Sequence, residues 1–265
     1  MKVNTVKRAL KEGQAQVGTW LSLGNIVAAR FLARTGLPWL TVDMEHTHTD
    51  IQTAAHMFGA IADAGCIPLA RVVTGRHDLI KSVLDCGAYG IVAPMVMTAD
   101  EARAIVAACK YPPRGNRSVG GSMPALNFGC AAEEYARRAD NEILVVIQTE
   151  HIAAVERMDD IYSVPGIDAV FVGPNDLAAS MRAPDGTPPA PEVFEATLQR
   201  ILKGCQKHGI APGLHTFSIE SAQNRVAEGW KFVAMNSELR FMLDGAEAVV
   251  NALHPERLSG SLAKY

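Results

Sequence analysis

The chain has 265 residues, 48% of them hydrophobic, enough apolar material to bury one large core or two small ones. A formal net charge of −3, a pI near 6.2 and no run of Lys and Arg give no electrostatic case for a nucleic-acid partner. Five scattered cysteines without a Cys-x-x-Cys pair, an N-terminus unlike a signal peptide and no long apolar run predict buried, reduced thiols in a cytoplasmic protein with no membrane partner.

Taken from the N-terminus, residues 4–12 pattern as a short polar helix, and Gly13 separates it from a strand over Gln16–Trp20. Asn25 is placed to cap a helix over Ile26–Thr35, which Gly36 ends. A second strand, Trp39–Asp43, precedes a helix that starts at Thr49 or Asp50 and runs to Ala62, closed by Gly65. The third strand is Ile67–Arg71, followed by a helix around Asp78–Asp85 and by Gly87. Gly90–Ala93 is the fourth, stopped by Pro94, with a helix over Ala99–Cys109 behind it.

The alternation then breaks. From Tyr111 to Gly129 the chain is rich in Gly and Pro with little periodicity, an excursion of a length that compact domains usually keep for function or for interfaces. It resumes with a helix over Ala131–Ala139, a fifth strand over Ile143–Gln148 and a helix over His151–Asp160. The sixth strand, Ala169–Val172, runs into Gly173-Pro174-Asn175-Asp176, and residues 183–191 form a Pro-rich loop. A helix over Pro191–His208, a seventh strand Ala211–Leu214, an eighth Lys231–Met235 and a last helix Gly245–Leu253 complete the pattern.

Eight short apolar strands, each followed by a helical stretch, predict a (β/α)8 TIM barrel forming a single domain over residues 1–265. An open doubly wound sheet is the rival, but it usually has fewer strands, and no G-x-G-x-x-G follows any strand here.

In such barrels the chemistry projects from the C-terminal strand ends. Those ends carry Trp20, the Asp43/Glu45/His46 group, Arg71, Gln148 with Glu150, Asn175 with Asp176, His215 and Asn236. Glu150 and Asp176, one β/α unit apart with no His or Cys between them, suit a hard divalent cation, or they simply cap the helices that follow. Arg71 either grips a substrate carboxylate with its fork or is the internal ion-pair partner of a nearby acid. His46, three residues after Asp43, is the natural general base, its tautomer set by that carboxylate. His48 and His215 are weaker rivals, His48 on the loop surface and His215 alternatively lining an acceptor pocket.

Several motifs then agree. Asp43-Met44-Glu45-His46, Lys81-x-x-x-Asp85-x-Gly87, Tyr111-Pro112-Pro113-x-Gly115-x-Arg117-Ser118-x-Gly120, Gln148-x-Glu150 and Phe171-Val172-Gly173-Pro174-x-Asp176-Leu177 resemble the HpcH/HpaI aldolases, the metal-dependent class II pyruvate aldolases. The resemblance runs from about Gly18 to Leu243. It implies reversible cleavage of 4-hydroxy-2-oxo acids, such as 2-keto-3-deoxy sugar acids, to pyruvate and an aldehyde. Glu150 and Asp176 would hold Mg²⁺, Mn²⁺ or Co²⁺, and Arg71 would stabilise the pyruvate enolate. His46 paired with Asp43 would move the hydroxyl proton, within a carboxylate–water network that includes Glu45 and Asp85. Gln148 would support the metal, the backbone at Gly173, Pro174 and Asn175 would grip the substrate carboxylate, and Trp20 would wall the pocket.

The resemblance further implies a homo-hexamer, a trimer of dimers with the last helix swapped between subunits. Met44, Asn175, the 122–128 segment and Asn236-Ser237 depart from the usual family pattern, which bears on the aldehyde rather than on pyruvate. Two competing functions are a CoA-ester lyase of the citrate-lyase β type and a non-catalytic barrel that binds a 2-oxo acid.

Overall fold

A computed structural model describes residues 1–254. The chain opens with α1 (Thr5–Lys11), started by Asn4, whose side chain accepts the Lys7 N–H at 3.0 Å. The Asn4 amide donates to the carbonyls of Tyr89 and Glu142, just ahead of two strands, so α1 lies across the N-terminal ends of the barrel strands.

The first half then alternates as β1 (Gln16–Leu21), α2 (Ile26–Leu32), β2 (Trp39–Asp43), α3 (Ile51–Asp63), β3 (Ile67–Arg71), α4 (His77–Asp85), β4 (Gly90–Ala93) and α5 (Ala99–Cys109). Next come α6 (Met123–Asn127), α7 (Ala132–Glu142), β5 (Leu144–Gln148), α8 (Ile152–Glu156), α9 (Met158–Tyr162), β6 (Ala169–Val172) and α10 (Pro174–Ser180). The last part is α11 (Pro191–His208), β7 (Ala211–Thr216), α12 (Ile219–Glu228), β8 (Phe232–Ser237) and α13 (Glu238–Leu253). Each strand pairs in parallel with its neighbours, and β1 pairs with β8 to close an eight-stranded barrel, as the alternation predicts.

The strands are buried along nearly their whole length, the pattern of a sheet covered on both faces. At the β1–β8 seam Gly18 is required by close approach, because a Cβ there would overlap the Trp39 ring. Trp39 fills that space and stacks on Phe232 with centroids 4.4 Å apart.

Local signals place the helix starts. Asn25, Asp50, Ser218 and Ser237 accept N–H bonds from the first turn behind them, and Thr98 with Glu101 forms a full capping box.

Three expectations are corrected, and one helix gains its bounds. The 111–129 excursion contains α6, whose Pro124 stands at a first-turn position where its missing N–H costs nothing. The helix expected over 151–160 divides at Arg157 into α8 and α9. The helix α12 between β7 and β8 received no bounds from the sequence, because it is mostly polar and Ala222 is the one residue it buries. The last helix starts at Glu238 rather than Gly245; Gly245 sits inside it with open space where a Cβ would be.

The helix α13 packs on β1 and β8, and its start is tied down where the Ser22 and Leu23 N–H groups donate to Glu238 at 2.7 and 2.8 Å. Beyond that anchor it buries nothing, and Met242, Val249 and Leu253 are more than half exposed. Of the cysteines, Cys66, Cys109 and Cys205 are buried as expected, whereas Cys86 and Cys130 are only partly covered; all are free thiols. Among the described residues no helix is long and apolar enough to cross a membrane.

Candidate active site

The C-terminal ends of the strands converge on one cavity. Asp43 ends β2 and Arg71 ends β3, and the two are register partners, so their side chains leave the sheet side by side. Arg71 Nε donates to Asp43 Oδ1 at 2.8 Å and Nη2 donates to Oδ2 at 2.6 Å, a two-point ion pair with both side chains buried. The guanidinium lies over the Trp20 ring at 4.6 Å, and its Nη1 stands 3.4 Å from Glu45 Oε2. An arginine held on three sides cannot swing, so it presents a fixed positive edge.

Beyond β2 the chain turns on Asp43 itself, whose Oδ1 accepts the N–H of Glu45 at 3.0 Å and of His46 at 3.4 Å. The expected pairing of the His46 ring with Asp43 is therefore corrected: the Arg71 fork takes both carboxylate oxygens, and His46 reaches Asp43 through its backbone. The imidazole stands at the rim, with Nε2 3.8 Å from Glu45 Oε2.

On the opposite side, the Gln148 amide donates to Glu150 Oε2 at 2.6 Å and the Met95 N–H donates to Glu150 Oε1 at 2.8 Å. The backbone of Met95 is left-handed, at φ 52°, which turns its N–H inward. Gly173, after β6, makes room for this carboxylate, since a Cβ there would collide with Glu150 Oε2. Pro174 then starts α10 and puts Asp176 in its first turn, exposed to the cavity mouth.

Three groups are displaced in acidity. Burial pushes Glu150 up to about 7, against the Met95 N–H, with the charges of Asp176 and Glu45 adding to the rise. Glu45 also rises to about 7 through burial, which outweighs the Arg71 charge. His215 is driven down to about 4 by burial and by Arg71, so its imidazole is neutral.

Trp20, Asp43, Arg71, Gln148, Glu150, Gly173, Pro174, Asn175, Asp176 and His215 thus share one cavity. The sequence reading missed Ser22, Phe171 and Phe217, which line it too, and named Ser237 only as a departure bearing on the aldehyde. Ser22, Phe217 and Ser237 fall just past the polar strand ends or begin a following helix, and Phe171 reads as ordinary strand core. Glu45 faces the neighbouring groove with Met95, beside the main cavity.

Asp85 does not reach the cavity of its own chain. It ends α4, which runs back from the C-terminal rim, so it lies at the other end of the barrel. There it pairs with Arg117 at 2.7 Å, while Arg117 bonds the Tyr135 hydroxyl at 3.0 Å and stacks on Tyr111 at 4.7 Å. Within one chain Asp85 braces the 111–131 excursion through Arg117.

The model of the HpcH/HpaI aldolase/citrate lyase family matches residues 16–244. The chain belongs to that family. It is 39% identical over 250 residues to a 4-hydroxy-2-oxovalerate aldolase of Rhodococcus jostii, covering 93% of this chain and 95% of that one. A 2-keto-3-deoxy-L-rhamnonate aldolase of Escherichia coli is 36% identical over 246 residues, 92% of this chain and 91% of that one. Among solved structures, a family member from Burkholderia cenocepacia superposes with a TM-score of 0.85 at 30% identity, covering 94% of this chain and 99% of that one. The chain is accordingly a carbon–carbon lyase of the aldolase type.

The site fits the divalent cation expected of such an aldolase. Glu150 is a carboxylate 3% exposed that burial pushes up to about 7, with the acidic Asp176 and Glu45 near it. Beside it Gln148 Oε1 is buried without a hydrogen-bond partner, and Gly173 clears the approach. All these donors are hard oxygens. Among the described residues no cluster of three His, Cys, Asp or Glu side chains forms, so the protein's share of such a shell would be the Glu150–Asp176 pair.

Proposed function

We propose that the enzyme reversibly cleaves 4-hydroxy-2-oxo acids to pyruvate and an aldehyde. The observation that carries this reading is the clamped Arg71 facing the Glu150–Asp176 oxygen pair across one cavity. In cleavage the 4-hydroxyl gives up its proton, C4 becomes the aldehyde carbonyl and the C3–C4 bond breaks. The electron pair passes to the former keto oxygen as an enolate, and protonation at C3 then releases pyruvate. Glu150 and Asp176 would hold Mg²⁺, Mn²⁺ or Co²⁺, which when bound supplies Lewis acidity toward that oxygen.

The remaining work falls to the chain's own residues. Arg71 offers a preorganised guanidinium to the developing oxyanion, and Asp43 and Trp20 keep it in place. Gln148 orients Glu150, and the backbone from Gly173 to Asn175 meets the substrate carboxylate at the start of α10. His46 takes the hydroxyl proton out to solvent at the rim, its Nε2 3.8 Å from Glu45 Oε2. The orienting carboxylate of His46 is then Glu45. Arg71, 3.4 Å from the same Glu45 oxygen, keeps its own protons and holds the oxyanion.

The test is pyruvate release from 4-hydroxy-2-oxo acids and 2-keto-3-deoxy sugar acids, with EDTA-stripped protein and with each metal restored. Metal-dependent release supports the reading. Cleavage of CoA esters only, or tight 2-oxo-acid binding without turnover, overturns it in favour of the other family chemistry or of a binding barrel.

We also propose a homo-hexamer, a trimer of dimers, in which α13 exchanges between subunits. Support comes from its exposed Met242, Val249 and Leu253, a face that one chain leaves uncovered. A monomeric mass in sedimentation would refute this.

A further inference from the structure

The charges around the cavity bear on the second substrate. Its titratable lining residues are Asp43, Arg71, Glu150, Asp176 and His215. Asp43 and Arg71 cancel in their two-point pair. His215 is neutral, held at about 4 by burial and the Arg71 charge. Glu150 and Asp176 remain, and a divalent cation would only offset them. Pyruvate then adds a negative charge of its own. Arg71 is the one cation among the described lining residues, and Asp43 and Glu45 already engage it.

The other wall is aromatic. Trp20 meets Phe171 edge-on at 5.4 Å and lies 6.4 Å from the His215 ring. Phe217, half exposed at 52%, leans on His215 at 4.9 Å. The neutral hydrogen-bonding groups on the lining are Ser22, Ser237 and Asn175.

We propose that the acceptor is an uncharged aldehyde whose body lies against the Phe217–His215 wall, and that aldehydes carrying a carboxylate of their own are poor substrates. This rests on the aldolase reading above. A second carboxylate would shed its hydration shell beside Asp176 and the pyruvate carboxylate, with no cation among the described lining residues but Arg71, which Asp43 and Glu45 already hold. An alkyl or hydroxyalkyl group loses nothing of the kind and gains apolar contact.

The experiment has three arms. Hydrogen–deuterium exchange at pyruvate C3 in D₂O, followed by NMR on metal-loaded enzyme, establishes enolisation independently of any aldehyde. Aldol kcat/KM is then compared for propanal and lactaldehyde against glyoxylate and succinic semialdehyde, in the parent and in Phe217→Arg. The third arm is saturation-transfer NMR on metal-free protein with propionamide and with succinate.

Exchange is expected, together with at least a tenfold preference for the uncharged aldehydes. Phe217→Arg, a change at an exposed position, is expected to narrow that preference about tenfold. Propionamide should receive saturation and succinate should not. Intact exchange with carboxylated aldehydes equal or better overturns the acceptor inference and leaves the aldolase reading standing, as does equal saturation of succinate. Absent exchange overturns both.

Discussion

The substitution Glu150→Gln should make the metal-free protein more stable at alkaline pH while destroying its response to metal. The Glu150 carboxyl is displaced from 4.5 to about 7, chiefly by burial. Because the folded form holds its proton more tightly than the unfolded one, stability falls as pH rises from about 4.5 through about 7. At about 1.4 kcal/mol per pH unit, that difference caps the cost of the buried charge at about 3 kcal/mol above pH 7.

The change to glutamine removes the charge and keeps the shape. The carbonyl oxygen of the new side-chain amide can still accept the Met95 N–H, and Gln148 can turn its unpartnered Oε1 toward the new N–H groups. Glu45 titrates in both proteins, and its burial acts alike in each. Urea unfolding after EDTA treatment, at pH 5 and pH 8.5, is the assay. The variant should match the parent at pH 5 and exceed it by up to about 3 kcal/mol at pH 8.5. Added Mg²⁺ or Mn²⁺ should raise the parent midpoint only. A variant no more stable than the parent at pH 8.5 would refute the view that Glu150 is an uncompensated buried charge.

Other outcomes follow from the same geometry. Metal affinity should rise steeply with pH up to about 7 and release protons on binding below it, because Glu150 must ionise first; calorimetry in buffers of different ionisation enthalpy reads this directly. Asp43→Asn removes the two-point partner of buried Arg71 and leaves Glu45 at 3.4 Å, so it should cost less than the roughly 3–5 kcal/mol of an uncompensated buried charge in chemical denaturation, along with most of kcat. Gly173→Ala drives a methyl into Glu150 Oε2 and should weaken Mn²⁺ binding, measured by EPR, far more than it lowers Tm. Arg117→Met breaks a brace remote from the cavity, so unfolding should come earlier while KM for the oxo acid stays unchanged.

Much of the barrel was legible in the residue pattern. Short, wholly apolar runs such as Leu144–Gln148 and Ala169–Val172 can be strands buried on two faces, and their alternation with capped helices leaves few topologies. The polar strand ends were legible for the same reason, since an ionisable group finishing an apolar run needs a mouth to face. Less visible were elements that bury little of their own. Both α12 and α13 bury a single residue each, Ala222 and Glu238, and their starts are set by the Ser218 and Ser237 caps.

The residue types determined the candidate chemistry: two hard carboxylates, an arginine and a histidine at strand ends, with no lysine among them to make a Schiff base. Tertiary structure alone decided how they pair. The register of β2 on β3 sets Asp43 against Arg71, and the turn that follows β2 carries the His46 ring out to the rim beside Glu45. Chain direction sent Asp85 to the far end of the barrel, a consequence of helices running antiparallel to the strands they follow. Depth beneath the rim separated the acidities, so that Glu150 keeps its proton to neutral pH and His215 stays neutral. Those displacements arise from lost water and neighbouring charge, quantities that exist only once the chain has closed around its own strand ends.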